Sequence, residues 1–551
     1  MIEEKEKKTA WNVTDLTKNP SPEWFDMKRA QEVMDAYNRG GGSALPADRY
    51  VGQSLVPAGT GAQRNFSYIA PDLPELTAPN CVGCMDCVNN CPDTAILGKV
   101  VTRDVLEGAL SGEPDEGFRD YLRSQFVETT KYHATYEKRR AKDPSGPEGA
   151  LFGIFIDPTK CKGCGECVEV CGEHRALRMI KKTPDNLPNF FRIWDLHNAL
   201  PATPEGYISP KIPVDIMLKP SSLQYVGGAG SSMGCGEASV IRQVMAATHE
   251  KVGDKYGFVA ATGCNTVYGS TYPYNPFTVP WTNSLFENAP TDAMGVRMFW
   301  DQQGKQDWAL WAIGGDGAMF DIGFQSLSRL LASGMNVKVL VLDTQVYSNT
   351  GGQASTASYI GQEAKMSVHG KVVMGKPERR KELGQICMMH PHTFVAQTVG
   401  PMTSHFFKAV NRALEFKGPA VIIVFTTCQP EHGVADDMAA AQARLAVESR
   451  AFPLYIYDPD AGPTFRSRLS LQGNPSVNRN WHSRKRADGS IEEVNFLTWA
   501  QTEGRFAKHF DKQGKPSDVL LFSQQERLEN WWLLQEMAGL VNTDRTGTSQ
   551  S

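Results

Sequence analysis

Eight cysteines lie in two runs, Cys81, Cys84, Cys87, Cys91 and Cys161, Cys164, Cys167, Cys171. Both runs read C-x2-C-x2-C-x3-C, a spacing that wraps a short loop around three iron corners of a cubane 4Fe–4S cluster. Where two such runs share a chain, the fourth thiolate of each reaches the other run's cluster. The expected sets are therefore Cys81, Cys84, Cys87 and Cys171 on one cluster, and Cys161, Cys164, Cys167 and Cys91 on the second. Structural zinc or a disulfide framework is the alternative, but zinc needs only two close pairs and leaves the third and fourth cysteines without a reason. The chemistry these residues point to is one-electron transfer.

A second constellation lies further on. Gly315-Asp316-Gly317 follows an apolar run and opens a helical pattern; after twenty-five intervening residues comes Asp343-Thr344, at the end of the next apolar run. This order places oxygen ligands at the carboxyl ends of neighbouring parallel strands, where α/β sheets bind ligands. Asp316 supplies a carboxylate, Thr344 a hydroxyl and Val346 a backbone carbonyl, the hard donors that magnesium shares with phosphates. The glycines let the backbone approach a diphosphate, and the helix N-terminus favours its charge. Gly-Asp-Gly alone is also a common turn; the strand–GDG–helix–strand–Asp-Thr order is what makes it informative.

The elements that must position these residues follow from periodicity. Residues 308–313, 337–342, 392–399 and 420–426 read as buried strands, with helices at 320–333, stopped by Gly334, and at 404–416. Such alternation implies a parallel sheet with helices on both faces. Residues 1–79 read as an arm or linker with one amphipathic helix near 24–37, which wraps a partner or packs on its own chain. The expected division is a two-cluster domain over 80–185 with a charged surface excursion at 108–150, a connector at 186–228, the α/β domain at 229–460 and an extension at 461–551. The extension has helical pieces such as 525–540 and a disordered end at 542–551.

The chain has 551 residues and a formal net charge of −4, too mild to imply nucleic acid or a membrane surface as partner. No apolar run approaches a membrane span, and the charged N-terminus has no apolar stretch behind it as a secretory signal would. With twelve cysteines, a reducing compartment is expected, the cytoplasm by default.

The segments 314–317 (GGDG), 343–352 (DTQVYSNTGG), 233–237 (MGCGE), 261–264 (ATGC) and 283–287 (NSLFE) closely resemble the pyruvate:ferredoxin oxidoreductase family. The resemblance runs from about residue 45 to about 460, in the family's own order, and matches the C-terminal half of its long single-chain members. It implies a two-cluster ferredoxin-like α+β domain followed by a thiamine-diphosphate-binding, doubly wound parallel-sheet domain, an α/β protein. Residues matching Asp316, Thr344 and the Val346 carbonyl hold magnesium there; those matching Gly315, Asp316, Gly317, Ala318 and 344–349 line thiamine diphosphate. Glu237 and Cys264 match residues beside the cofactor. Asn349 matches a residue near the reactive thiazolium carbon and is the catalytic candidate; a turn residue with positive φ before Gly351 and Gly352 is its plainer reading. A third, proximal 4Fe–4S cluster is implied by Cys235, Cys264 and Cys428, but its first position is Ser232. Serine is a harder ligand that would alter the potential; a three-iron, labile or absent cluster, or three buried small side chains, are the other readings. Cys387 matches no ligand and is read as structural. Gly172 stands where the second run usually has proline.

The resemblance further implies thiamine-dependent oxidative decarboxylation of a 2-oxoacid to acyl-CoA and CO2, or the reverse. Electrons pass through the clusters to ferredoxin or flavodoxin. Pyruvate is the first choice of substrate and 2-oxoglutarate the alternative. The family's pyrimidine-activating glutamate, oxoacid pocket and coenzyme A site belong to a domain with no counterpart before Cys81. A second subunit is therefore expected to bring them, in a dimer of heterodimers. The aromatic stretch Tyr268, Tyr272, Pro273, Tyr274, Phe277 and Trp281 is read either as part of that interface or as internal packing. The rival from another class is an electron-transfer subunit whose α/β domain is a non-catalytic scaffold.

Overall fold

The computed structural model describes residues 11–21, 23–47, 49–53, 55–129, 131, 151–486 and 488–545. Of the surface excursion expected at 108–150, residues 130 and 132–150 lie outside that set, as do 546–551 of the disordered end expected at 542–551. The described part of the first segment is no excursion. Helices Arg103–Leu110 and Glu116–Arg123 bury Leu106, Leu110, Phe118 and Leu122 in a small core with Phe155, Ile193 and Leu196. Ile193 and Leu196 come from helix Leu187–Ala199, so the expected connector begins as a packed element.

The cysteine-rich domain is built from β1 (Asp72–Leu76), β2 (Ile96–Val101), β3 (Phe126–Glu128), β4 (Leu151–Ile156) and β5 (Leu177–Lys181). β1 pairs antiparallel with β5, and a second antiparallel sheet runs β2-β4-β3. Short helices Asp86–Asn90 and Glu166–Glu169 each carry the third cysteine of a run.

Among the described residues the largest sheet has eight strands, in the order β13-β12-β10-β11-β9-β8-β6-β7. They are β6 (Tyr256–Ala261), β7 (Trp281–Ser284), β8 (Ala309–Gly315), β9 (Lys338–Asp343), β10 (Phe394–Val399), β11 (Ala420–Phe425), β12 (Tyr455–Tyr457) and β13 (Leu469–Ser470). β6 to β11 are parallel; at one edge β12 pairs antiparallel with β10 and β13 antiparallel with β12, so the sheet is mostly parallel rather than wholly so. Alternate residues of one strand serve opposite faces: Leu340 and Leu342 join one core, Val339 and Val341 the other. Helices Gly236–Val252 and Thr403–Glu415 cover the first face. Phe324–Ser333 and Asp518–Met537, the latter from the C-terminal extension, cover the second. Burial on both sides explains the near-continuous apolar runs of β8, β9 and β11. Gly334 ends its helix at φ 71°, the left-handed cap expected of it.

The arm packs on its own chain. Helix Met27–Asn38 buries Met27, Val33 and Met34, and the Gly59 and Gly61 amides donate to Phe277 O (2.8 Å) and Asn275 O (2.9 Å). Tyr37 meets Tyr272 edge-on at 5.8 Å. Tyr268, Tyr274 and Phe277 are buried, so internal packing, not an interface, accounts for most of that aromatic stretch.

Candidate functional site

The two cysteine loops share one backbone design. Gly83 and Met85 in the first, and Gly163 and Gly165 in the second, take positive φ, turning each loop so that its amides face inward. Cys81, Cys84, Cys87 and Cys171 line one small cavity. Cys91 instead lies within electrostatic reach of Cys161, Cys164 and Cys167. The geometry therefore groups the thiols crosswise between the runs. Each crossing thiol accepts a backbone N–H, Cys91 from Ala95 at 3.3 Å and Cys171 from Ala176 at 3.2 Å. Burial pushes the Cys81 thiol up to about 11 and Cys161 up to about 12. Cys84 is exposed, whereas Cys161 and Cys167 are buried, which makes the first set the outer one. Gly172 has φ +51°, which the proline ring forbids, so the departure at this position accompanies a different local turn.

The inner loop is pinned to the α/β domain. Lys162 Nζ pairs with Asp93 at 2.6 Å and donates to Ser231 O at 2.8 Å and Ala229 O at 3.0 Å. Glu166 accepts from the Ala439 and Ala440 amides at 2.9 and 2.8 Å, capping helix Ala439–Glu448; burial pushes its carboxyl up to about 8.

Next to Ser231 opens a cavity of about 140 Å³. Ser232, Cys235, Cys264 and Cys428 all line it, brought from the turn before helix Gly236–Val252, from the end of β6 and from the end of β11. Burial pushes all three thiols up, with Glu237 adding to the effect at Cys235 and Cys264. Gly234 is held at φ 70° where a Cβ would strike the Asp436 carbonyl, so the loop carrying Cys235 requires glycine. Cys387 lies apart from this cavity, buried in helix Leu383–Met388.

The cavity adjoins a cleft at the carboxyl ends of β6, β8 and β9, sharing Glu237, Cys264, Thr344, Ser348 and Asn349 with it. Gly315, Asp316, Gly317, Ala318 and Val346 complete its floor. Thr344 Oγ1 lies 3.0 Å from both Asp316 Oδ1 and the Val346 carbonyl, so three oxygen donors converge on one point. Burial, with the Asp343 carboxylate nearby, raises Asp316 well above the usual carboxylate range. A Cβ on Gly317 would lie 2.6 Å from the Tyr347 ring, so only glycine allows that close approach. The helix expected at 320–333 begins earlier, with a turn of π-helix at Gly317–Ile322 beside the cleft. Asn349 lines both spaces and lies in a turn as expected, but positive φ falls on Gln345, Gly351 and Gly352, not on Asn349, so only that part of its turn reading is corrected. Glu237 is buried, its carboxyl pushed up to about 7, with the Tyr268 hydroxyl donating at 3.4 Å.

Several further residues hold this site, all but Ser348 outside the segments that carry the resemblance. Ser355 donates to Asp316 Oδ2, and Ser348 to Thr344 Oγ1 at 3.0 Å. His432 Nε2 donates to Thr344 O at 2.8 Å. Arg505, from the C-terminal extension, pairs with Glu503 and donates to Gln345 Oε1 at 3.0 Å. Arg380 pairs with Asp343 beneath the same loop. Apart from Ser348, they stand in polar stretches of sequence with no spacing that marks them.

Fold and site define an iron–sulfur protein built onto a thiamine-binding α/β domain, and the comparisons agree. Residues 80–176 match the 4Fe-4S dicluster domain, and residues 261–424 match the C-terminal TPP binding domain of thiamine pyrophosphate enzymes. The chain is 26% identical to the pyruvate-flavodoxin oxidoreductase of Rhodospirillum rubrum over 91% of its own length and 44% of that protein's. It is 28% identical to the pyruvate:ferredoxin oxidoreductase of Moorella thermoacetica over 78% of its length and 40% of that protein's. Over the dicluster and thiamine-binding domains it is similar to the pyruvate:ferredoxin/2-oxoacid:ferredoxin oxidoreductase family. The chain spans less than half the length of these curated relatives. A solved 2-oxoglutarate:ferredoxin oxidoreductase from Magnetococcus marinus aligns with a TM-score of 0.31 and 21% identity, covering 36% of this chain and 64% of that one. Among the described residues no helix is long and apolar enough to cross a membrane.

Proposed function

We propose that this chain is the cofactor-binding and electron-wiring part of a 2-oxoacid:ferredoxin oxidoreductase, with pyruvate the first choice of substrate. The observation that carries the reading is the shared wall between the diphosphate cleft and the three-cysteine cavity, with Lys162 tying that cavity to the inner cysteine loop.

The donor sets suit the groups the family implies. Asp316, Thr344 and the Val346 carbonyl offer the hard oxygens magnesium requires. The crosswise thiol sets offer four sulfur ligands each, as two 4Fe–4S clusters require. Cys235, Cys264 and Cys428, with the Ser232 hydroxyl on the same wall, would hold a proximal third cluster. Thiamine diphosphate, when bound, supplies the carbon nucleophile that releases CO2 from a 2-oxoacid and retains the electron pair left behind.

This chain's own residues orient the diphosphate through the glycines around Asp316, place Asn349 at the cleft, and keep the Glu237 carboxyl, raised by burial, at its edge. In the net reaction the 2-oxoacid anion loses CO2, the coenzyme A thiol takes the acyl group and releases its proton, and two ferredoxins or flavodoxins each accept one electron. The pyrimidine-activating glutamate, the oxoacid pocket and the coenzyme A site would come from a partner subunit docked on the cleft, in a dimer of heterodimers working in the cytoplasm.

The test is anaerobic purification with the partner. Iron at about twelve per chain, retained thiamine diphosphate and 2-oxoacid-dependent ferredoxin reduction are expected. About eight irons would remove the third cluster alone. Clusters and electron transfer without thiamine or oxoacid dependence would establish the scaffold reading instead.

A further inference from the structure

Helix Gly236–Val252 starts at Cys235 on the proximal cavity and packs against the helix that carries Cys87. Arg242 projects from it into that contact and is 1% exposed. Its Nη1 donates to the carbonyl of Val88 and, at 3.5 and 3.4 Å, reaches those of Asn89 and Cys91. Nε and Nη2 have no hydrogen-bond partner among the described residues. Arg380, Arg505 and Arg527, equally buried, each meet a carboxylate: Asp343, Glu503 and Glu526. No carboxylate pairs with Arg242 among the described residues, yet a buried guanidinium without a counterion costs several kcal/mol.

The groups its charge does reach are the thiols of Cys91 and Cys87. These belong to different thiol sets, Cys91 to the inner and Cys87 to the outer. A cubane held by four thiolates is an anion and gains one further negative charge on reduction. Nearby charge and hydrogen bonds to sulfur are among the levers that set its potential.

We propose that Arg242 is the shared counterion of the two dicluster sites, holding both clusters toward their reduced state from the thiamine domain's own helix. This rests on the reading that the two runs bind clusters. The positive charge reaches one thiol of each set, so it stabilises an electron on either one and smooths the step between them. The helix that begins at the proximal cavity thus also sets the level of the next two stations. A merely structural latch is the competing account, and the chain supplies a control for it. Gln243, the next residue, donates through Nε2 to Asn89 O at 3.1 Å, a neutral bond to the same loop.

The experiment compares the full chain with Arg242→Met, Arg242→Lys and Gln243→Met, purified anaerobically, by iron analysis and redox titration followed by electron paramagnetic resonance. Arg242→Met is expected to keep about eight dicluster irons. It should lower the midpoints of both clusters by at least tenfold in the reduction equilibrium, about 59 mV for one electron. Arg242→Lys should restore most of that shift, and Gln243→Met should titrate as wild type. Arg242→Met with full iron and wild-type potentials overturns the proposal, as does an equal shift in Gln243→Met. If Arg242→Met loses iron, Arg242→Lys decides: full iron and near-wild-type potentials support the charge requirement, and loss of iron there too overturns it. Wild-type chain without the two clusters would instead defeat the cluster reading on which this rests.

Discussion

Replacing Asp316 by Asn tests the diphosphate site most directly, because the change removes charge and keeps shape. Asp316 is 1% exposed and provides the only full charge among the three converging donors; Thr344 and the Val346 carbonyl provide dipoles. Taking one charged partner from a buried ion pair costs about 3–5 kcal/mol. The lower end corresponds to about a hundredfold in affinity for the magnesium–diphosphate unit. A ligand at a hundred times its dissociation constant stabilises the folded state by about 2.7 kcal/mol. At the same concentration a hundredfold weaker site yields about 0.4 kcal/mol. The assay is thermal unfolding of the cluster-loaded protein with and without thiamine diphosphate and magnesium, paired with calorimetric titration. Wild type should show a clear cofactor-dependent rise in Tm and the Asn variant almost none. Without cofactor the variant should be no less stable than wild type, since burial and Asp343 already disfavour a charge at this position. Iron content should match in both. An equal cofactor-dependent rise in both proteins would refute the assignment of Asp316.

Cys84→Ala and Cys164→Ala should each remove about four irons, the first from the outer and the second from the inner set, read by iron analysis. Ser232→Cys should change the signal and midpoint of the proximal cluster in spectroscopic redox titration, since it exchanges a hard ligand for a soft one; unchanged spectra would take Ser232 out of the ligand set. Arg505→Met should cost about 3–5 kcal/mol of folding stability by leaving Glu503 buried alone, and should weaken thiamine retention because Gln345 loses its anchor; chemical denaturation and calorimetry check the two parts. Lys338 donates to Gly418 O at 3.0 Å, and burial pushes it down to about 7. Between about pH 7 and its unfolded value of 10.5 the unfolded chain holds a proton the folded one lacks, so stability rises with pH in that window. Lys338→Met should abolish that rise, as measured by denaturation at pH 7 and pH 10.

The sequence by itself determined every feature whose chemistry is local. Four cysteines within eleven residues can wrap a cubane without help from distant chain, and apolar strands ending in Gly-Asp-Gly and Asp-Thr announce a ligand at their carboxyl ends. Strand and helix positions were legible for the same reason: 420–426 was expected and β11 spans Ala420–Phe425, 404–416 was expected and the helix spans Thr403–Glu415. What the tertiary structure decided is everything that depends on contacts between distant residues. The arm around Met27–Asn38 lies against Tyr274 because a half-apolar helix buries its stripe on the nearest matching surface, and polarity alone does not name that surface. The edge strand β12 is short and depends on β10, a partner far back along the chain. Arg505 holds Gln345 across 160 positions of sequence. Arg242 reaches the Cys87–Cys91 loop across about 150. Neither has a spacing to read, since a buried charge is specified by the cost of leaving it unmatched in the folded interior, and that cost exists only once the interior has formed.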